Sequence, residues 1–215
     1  MSEKLYWTTV NPLLKSVLKE LMKNALFDRF RLVGGTSLSL QLGHRISVDI
    51  DLFTDATYNS IDFTLIDKYL RKKFSYVTKP HSDLIGMGRS YFVGTNEEKS
   101  IKLDLYYTEP FIRPVLIREN IRLASVEDII AMKIDVVQRG GRKKDFWDLH
   151  ELLDTHSPEE MIRLHASRYP YSHDQSLILT NFTSFSSADE DFDPICMKNK
   201  YWELIKYEII QSISK

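Results

Sequence analysis

Residues 34–53 read GGTSLSLQLGHRISVDIDLF, and this stretch decides the fold of the chain. The adjacent Gly34 and Gly35 predict a tight turn, because glycine most readily adopts the backbone angles that a sharp turn needs. The apolar runs 31–33 and 47–53 on either side predict β-strands, and the residues after the turn predict a short helix. The stretch therefore predicts a strand, a turn, a helix and a second strand in direct succession.

The rest of the chain divides into a mixed half and a helical half. Asn11 before Pro12 predicts the start of one helix, and Ser60 is predicted to cap another that runs to about Phe74. Alternating apolar residues predict further strands at 76–78, 90–93 and 101–107. Helical periodicity predicts helices at 126–139, 143–153, 158–167, 174–182 and 199–213. We therefore predict an α+β fold, with a core of mixed β-sheet and flanking helices at 1–120 followed by a C-terminal helical lobe at 121–215.

Composition excludes several classes of protein. The chain has 215 residues, of which 43% are hydrophobic and 27% are charged, as in ordinary globular proteins. A single cysteine, Cys196, excludes an intrachain disulfide and a cysteine-rich zinc site. No apolar stretch is long enough to span a membrane, so we expect a cytoplasmic protein without membrane contact. The formal net charge of −1 indicates that any nucleic-acid contact is local.

Three aspartates form the first candidate site. Asp49 and Asp51 alternate with aliphatic residues, which places both carboxylates on one face of the predicted strand, about 6.5 Å apart. Asp104 alternates with aliphatic residues in the same way on another predicted strand, where it is also a candidate general base. Repelling carboxylates held together favour a divalent cation, and Mg²⁺ (or Mn²⁺) prefers oxygen ligands. We therefore predict Mg²⁺ bound by these three residues, an arrangement suited to phosphoryl-type transfer.

The glycine turn forms the second candidate site. Gly34 and Gly35 lie between a strand and a helix, where exposed N–H groups and the helix N-terminus attract phosphate. Thr36 and Ser37 add hydroxyl donors. Taken alone, a Gly-Gly pair is more often a simple turn and an Asp-x-Asp strand more often a solvated edge. The ordered combination of both with a later apolar-Asp-apolar strand is far more specific.

This combination resembles the signature of the polymerase-beta-like nucleotidyltransferase superfamily. The resemblance implies a nucleotidyltransferase core in which the glycine motif binds the triphosphate of an NTP. It also implies metal binding by the three acids, in agreement with the roles derived from the residues. Applied to this sequence, it covers Gly35, Ser37, Asp49, Asp51 and Asp104.

A later segment narrows the resemblance. Lys133 follows Ala131 and Met132, and residues 142–149 read RKKDFWDL. Together with residues 33–53, these segments resemble the AbiEii/AbiGii-type nucleotidyltransferase toxin family. The family implies that a lysine and a Lys-Asp-x-x-x-Asp-like motif are needed for activity, and the corresponding residues here are Lys133, Lys144, Asp145 and Asp148. Four positive charges, at Arg139, Arg142, Lys143 and Lys144, suit a triphosphate or an RNA backbone.

The resemblance also implies a reaction and a biological role. The expected reaction transfers a nucleoside monophosphate from an NTP to an RNA, such as the end of a tRNA, in a toxin restrained by a cognate antitoxin. Two alternatives stay open: the same fold acting on a protein or small-molecule hydroxyl, and a catalytically idle nucleotide-binding module. Nothing in the sequence predicts a zinc site or an oligomeric state, and the acidic stretch 186–193 is predicted to be a solvated loop without a catalytic role.

Overall fold

A computed structural model describes residues 4–79 and 86–213 of the chain. Its strands are β1 (Arg31–Leu32), β2 (Ile50–Thr54), β3 (Tyr76–Val77), β4 (Gly88–Gly94), β5 (Ser100–Tyr107), β6 (Leu116–Arg118) and β7 (Ile121–Leu123). Its helices are α1 (Pro12–Met22), α2 (Gly34–Leu42), α3 (Phe63–Lys73), α4 (Val126–Gln138), α5 (Lys143–Leu152), α6 (Pro158–Arg168), α7 (Gln175–Phe182), α8 (Ser186–Asp189) and α9 (Trp202–Ile213). The α+β fold class predicted from the sequence is confirmed.

The described strands form one mixed sheet in the order β3-β4-β5-β2-β1-β7-β6. Its centre is the parallel pair β2 and β5, in which Asp51 is the register partner of Asp104. In β5, buried Leu103 and Leu105 alternate with half-buried Asp104, because successive side chains of a strand point to opposite faces. The aliphatic face packs into the core, and the aspartate face is left for the site.

The buried apolar residues of the described structure form two hydrophobic clusters. The first is built from buried residues between Leu5 and Leu123, including the apolar face of α1. The second combines Val33 and Leu38 with residues from Ala124 onward, which come mainly from helices α4 to α9. The change of core falls just after β7, which still belongs to the sheet. The division into lobes at residue 120 stays a prediction.

Two predicted helix and strand starts were wrong. Helix α3 is capped by Asp62, whose Oδ1 accepts from the Leu65 N–H at 2.9 Å, whereas the Ser60 hydroxyl accepts from Arg29 at 3.1 Å. Strand β2 begins at Ile50 instead of Ser47, because the Ser47 N–H donates to the Thr9 carbonyl, outside the sheet, at 2.9 Å. Asp49 therefore lies immediately before the strand.

Other elements were not predicted. Strands β6 and β7 form a hairpin whose turn residues, Glu119 and Asn120, both have positive φ angles, as in a type I′ turn. The acidic stretch 186–193, predicted as a solvated loop, contains the short helix α8. Among the described residues, none of the helices has the length and apolar character that crossing a membrane requires.

Candidate active site

A cavity of about 460 Å³ lies where the sheet meets helices α4 and α5. From the sheet side it is lined by Gly34, Gly35, Asp49 and Asp51, and from the helical side by Lys133, Arg142, Lys144 and Asp145. This size is in the range typical of small-molecule sites. The structure thus brings together most of the residues that the sequence singled out, although their catalytic and binding roles stay predictions.

The glycine turn approaches its neighbours more closely than any side chain would allow. Gly34 has a φ of +66°, and a Cβ added there would lie 2.6 Å from the Oδ2 atom of Asp51. A Cβ added at Gly35 would lie 2.2 Å from the guanidinium of Arg45. The helix was predicted to follow the glycine pair, but α2 begins at Gly34, so the two glycines are its first residues. The first N–H groups of a helix have no partner within it. Both glycines therefore let backbone donors reach the cavity beside the acids.

Thr36 and Ser37 do not line the cavity. The Thr36 side chain is buried, and its hydroxyl contacts the Ser47 hydroxyl at 2.8 Å and the Asp49 carbonyl. Ser37 is fully buried, and its hydroxyl accepts from the Gln41 amide at 3.2 Å. We expected both hydroxyls to face a ligand, but helix α2 turns them toward the protein interior. The Thr36 contacts instead join helix α2 to the segment before β2, whereas the Ser37 contact with Gln41 lies within helix α2.

Asp49 and Asp51 lie at the start of β2 and line the cavity, whereas Asp104 lies on the neighbouring strand β5 and does not line it. Asp51 and Asp104 are register partners on neighbouring strands, and Asp49 lies two residues before Asp51. Burial of the Asp51 carboxyl, together with the charges of Asp104 and Asp49, raises its pKa to about 6. Burial and two nearby carboxylates both disfavour the charged form of Asp51 when no cation is bound. The site is therefore electrostatically suited to a cation.

The acids do not form a closed metal cage. Within residues 4–79 and 86–213, no group of three histidine, cysteine or acidic side chains is arranged to hold a metal ion. One histidine of the chain, His81, lies outside the residues that the structure describes. Asp104 is engaged by Lys102, whose Nζ lies 2.6 Å from Oδ2, while Oδ1 of Asp104 is buried without a hydrogen-bond partner. Lys102 therefore occupies the carboxylate that was predicted to complete the metal site.

Lys102→Met is expected to strengthen Mn²⁺ binding on the order of tenfold, because a positive charge would no longer compete for Asp104. A titration of free Mn²⁺ by electron paramagnetic resonance measures this affinity. The matched control is Lys73→Met, since Lys73 pairs with Glu20 at 2.8 Å and is 45% exposed, against 42% for Lys102. Equal or weaker binding by the Lys102 variant would contradict this competition.

Lys133 and Asp148 form the centre of a buried ion-pair network. The Lys133 ammonium lies 2.6 Å from Asp145 and 2.7 Å from Asp148. Arg45 donates to both oxygens of Asp148, at 2.6 and 2.8 Å, and Nε2 of His44 lies 2.7 Å from the same carboxylate. Burial alone would raise the pKa of Asp148, but Lys133 and Arg45 hold it well below its usual range. Asp148 is fully buried and does not line the cavity.

Free positive charge in the cavity comes from another lysine. Lys144 lines the cavity and has no ion pair or side-chain hydrogen bond within the described part of the chain. Burial, together with the nearby charges of Arg142 and Lys133, lowers its pKa. The Arg142 side chain is 60% exposed, and its ion pair with Asp145 is long, at 3.4 Å. Arg139 also lines the cavity but is paired with Asp135 at 2.5 Å, so Lys144 and Arg142 are the least engaged cations of the described cavity lining.

Some lining residues were missed by the sequence analysis. Arg45 stands in the quoted stretch, but its partner Asp148 is 103 positions away, so no local pattern reveals the pair. Tyr106 lies two residues after Asp104 on the same strand face, a signal that could have found it. The cavity continues past these residues to Glu109, Met132, Asp135, Val136, Tyr169 and Ser172.

Comparison with known proteins shows the family of the chain. A family model described as nucleotidyl transferase AbiEii toxin, type IV TA system, matches residues 16–210. The chain belongs to this AbiEii nucleotidyltransferase family. The predicted membership and the prediction of a nucleotidyltransferase enzyme are thereby confirmed.

Individual relatives are more distant. An uncharacterized protein of Aquifex aeolicus, aq_aa25, is 27% identical over 208 residues, which cover 89% of this chain and 90% of the relative. The crystal structure of JHP933 from Helicobacter pylori superposes with a TM-score of 0.60 at 21% identity, covering 93% of this chain and 88% of that one. MenT4, a nucleotidyltransferase toxin of Mycobacterium tuberculosis, gives a TM-score of 0.59 at 14% identity, covering 94% and 83%. These structural likenesses support the fold.

Proposed function

We propose that this AbiEii family member transfers a nucleoside monophosphate from an NTP to a hydroxyl of an RNA acceptor, such as the end of a tRNA, and that the reaction depends on Mg²⁺. The observation that carries the proposal is the convergence of Asp49 and Asp51 with the Gly34-Gly35 turn and Lys144 around one cavity. Acids for a cation and donors for phosphates are the two elements that nucleotidyl transfer needs.

The acids fit a divalent cation. Asp49 and Asp51 would hold it, with Asp104 joining once Lys102 leaves its carboxylate. The bound ion supplies charge neutralisation for the triphosphate and activation of the acceptor hydroxyl. The raised pKa of Asp51 is consistent with this assignment, because burial and the neighbouring charges of Asp104 and Asp49 both disfavour a bare carboxylate there, and a bound cation would stabilise it.

The helical side and the turn would bind the triphosphate. The N-terminus of helix α2, at Gly34 and Gly35, offers N–H donors and positive potential. Lys144 and Arg142 add two charges that few protein partners compete for. The Lys133 ammonium has three donors and two neighbouring carboxylates, so one N–H is left for a phosphate oxygen.

The far end of the cavity would bind the base. Met132 and Val136 of helix α4 provide apolar surface, and Tyr106 and Tyr169 provide aromatic rings. Polar groups of Glu109, Asp135 and Ser172 lie among them, and apolar and aromatic surface with polar groups that fix orientation is typical of pockets for planar ligands. The nucleotide would thus lie with its phosphates toward β2 and its base toward helix α4.

The reaction transfers one nucleoside monophosphate group from the NTP to the acceptor. The acceptor oxygen forms a bond to the α-phosphorus while the bond from that phosphorus to the leaving pyrophosphate breaks. The hydroxyl proton would pass to the carboxylate of Asp104, the register partner of Asp51, once Lys102 leaves it. In the organism, we propose a cytoplasmic toxin restrained by an antitoxin, since the matching family model is described as a toxin of a type IV toxin–antitoxin system.

The test is incubation of the protein with each α-labelled NTP, Mg²⁺ and total cellular RNA, followed by sequencing of the labelled product. We expect label in RNA with a preference for one nucleotide, and none when EDTA is present. Label in a protein or in a small molecule would show that the acceptor is a protein or small-molecule hydroxyl and not an RNA. Nucleotide binding without any label would indicate the idle module, against which the presence of all three acids argues.

A further inference from the structure

A second groove opens beside the candidate active site. It has a volume of about 400 Å³ and shares Arg45, Ser47, Asp49, Arg142 and Lys144 with the first cavity. Its other wall is the segment Asp191-Phe192-Asp193-Pro194-Ile195. A ligand lying in this groove would therefore reach Asp49 from the side opposite to the base-binding end of the cavity.

The outer wall is held in place from two directions. The Ile46 N–H donates to the Ile195 carbonyl at 2.9 Å, and the Met197 N–H donates to the His44 carbonyl at 2.8 Å. On the other side, Lys143 binds both acids of the segment. Its N–H donates to Asp191 at 3.0 Å and its ammonium to Asp193 at 2.9 Å. These contacts fix the wall and reduce the negative charge that an anionic ligand would meet.

The wall carries a phenylalanine that packs against almost nothing. The Phe192 side chain is 99% exposed although its neighbours on the wall are bonded to the protein. Val48 and Ile195, 56% and 68% exposed, add apolar surface to the same groove. An exposed ring costs hydrophobic free energy unless a partner covers it, and every nucleic-acid base offers a flat face for stacking.

The groove has acids on both walls, Asp49, Asp191 and Asp193, and its available cations lie at the inner end, where a polynucleotide would meet them beside the triphosphate. Arg142 is largely exposed, and Lys144 has no ion pair among the residues that the structure describes. Both lie where the groove joins the first cavity. An aromatic platform combined with adjacent cations is the arrangement by which proteins bind single-stranded nucleic acid. A peptide would need an acidic and an aromatic or apolar side chain placed together, whereas every nucleotide of a single strand carries both a phosphate and a base.

We infer that this groove holds the unpaired 3′ end of the polynucleotide acceptor, with a base stacked on Phe192 and the terminal hydroxyl beside Asp49. The inference rests on the proposed function, since it assigns a place to the acceptor of that reaction. It requires a single-stranded tail, because the bases inside a duplex are covered on both faces by their neighbours, whereas unpaired bases can separate and stack on a side chain.

The test compares Phe192→Ala and Phe192→Trp with the native protein, using an RNA hairpin with a single-stranded 3′ tail that carries 2-aminopurine. Binding is followed by 2-aminopurine fluorescence, and transfer by label from the NTP. Phe192→Ala is expected to weaken RNA binding and to raise the KM for RNA about tenfold, while the KM for NTP stays unchanged. Phe192→Trp is expected to restore RNA binding and the KM for RNA to the native values. The control Tyr207→Ala removes another exposed ring, on helix α9, and should change neither.

The two readouts separate the inference from the proposed function. Equal RNA binding and KM in the native protein and Phe192→Ala would overturn the groove, even if transfer to RNA proceeds. The assignment of the groove to an unpaired 3′ end is also overturned if the native protein does not bind the tailed hairpin, or if a blunt hairpin binds equally well. Phe192-dependent binding of the tail without any transfer would keep the groove and overturn the proposed reaction. Transfer to a peptide that depends on Phe192, without transfer to RNA, would overturn the polynucleotide assignment.

Discussion

Asp51→Asn is expected to lower nucleotide transfer by at least about 10³-fold while leaving the protein folded. Asp51 lines the cavity, contacts the glycine turn through Oδ2 and is the register partner of Asp104. Asparagine keeps the size of the side chain but removes the charge, so a cation would lose its most deeply placed ligand. Loss of one preorganised electrostatic contact already costs 10²- to 10³-fold in other enzymes. Transfer of label from NTP measures the effect.

The same substitution is expected to stabilise the protein in metal-free buffer. The folded-state pKa of Asp51, about 6, is above its ordinary value of 3.8, so the folded state favours the protonated form. The contribution of the protonated carboxyl is fully present below about pH 4 and is lost as the pH rises through 6. Above that pH the native protein carries a penalty of up to about 3 kcal/mol, which Asp51→Asn removes.

Thermal denaturation with EDTA between pH 4 and pH 8 measures this difference. The melting temperature of Asp51→Asn should exceed that of the native protein by an amount that grows from pH 4 to pH 6 and then levels off. Asp154→Asn is the matched control, since it removes an exposed carboxylate far along the chain, and it should change neither transfer nor stability. A fully active Asp51→Asn protein would remove the metal assignment altogether.

The sequence allowed the sheet side of the site to be predicted because its signals are local. The alternation of Asp49 and Asp51 with aliphatic residues and the adjacent glycines follow from strand periodicity and turn geometry. The same local patterns could not show which way a side chain faces once the elements pack. Ser37 follows the turn closely in sequence, yet helix α2 directs it into the interior, where it meets Gln41.

The helical side could be predicted only through resemblance. Helix α5 packs against α2 and the segment before β2, and this long-range packing pairs Asp148 with Arg45, 103 positions away. No periodicity encodes such a contact. The hairpin of β6 and β7 was missed for a different reason: its turn uses Glu119 and Asn120, without the glycine that usually marks a type I′ turn.

Asp148→Ala is expected to be strongly destabilising, by about 3 to 5 kcal/mol, because it leaves buried cations without their carboxylate. Arg45 and Lys133 both lose a partner within 2.8 Å, and His44 loses its contact at 2.7 Å. Urea denaturation measures the change in the free energy of unfolding. The control is Asp67→Ala, which breaks the exposed pair with Arg71 and should cost less than about 1 kcal/mol. A loss no larger than that of the control would contradict the structural role of the network.

Lys133→Met is expected to separate this structural role from a catalytic one. The substitution leaves Asp148 bound to Arg45, and Asp145 still accepts from Arg142, so the loss of stability should be smaller than for Asp148→Ala. If the third N–H of the ammonium meets a phosphate oxygen in the transition state, kcat should fall about 10²-fold with little change in the KM for NTP. A change in KM alone would indicate that Lys133 only shapes the binding site. Unchanged kinetics in a folded variant would assign Lys133 to the ion-pair network and leave Lys144 and Arg142 as the cations that act on the triphosphate.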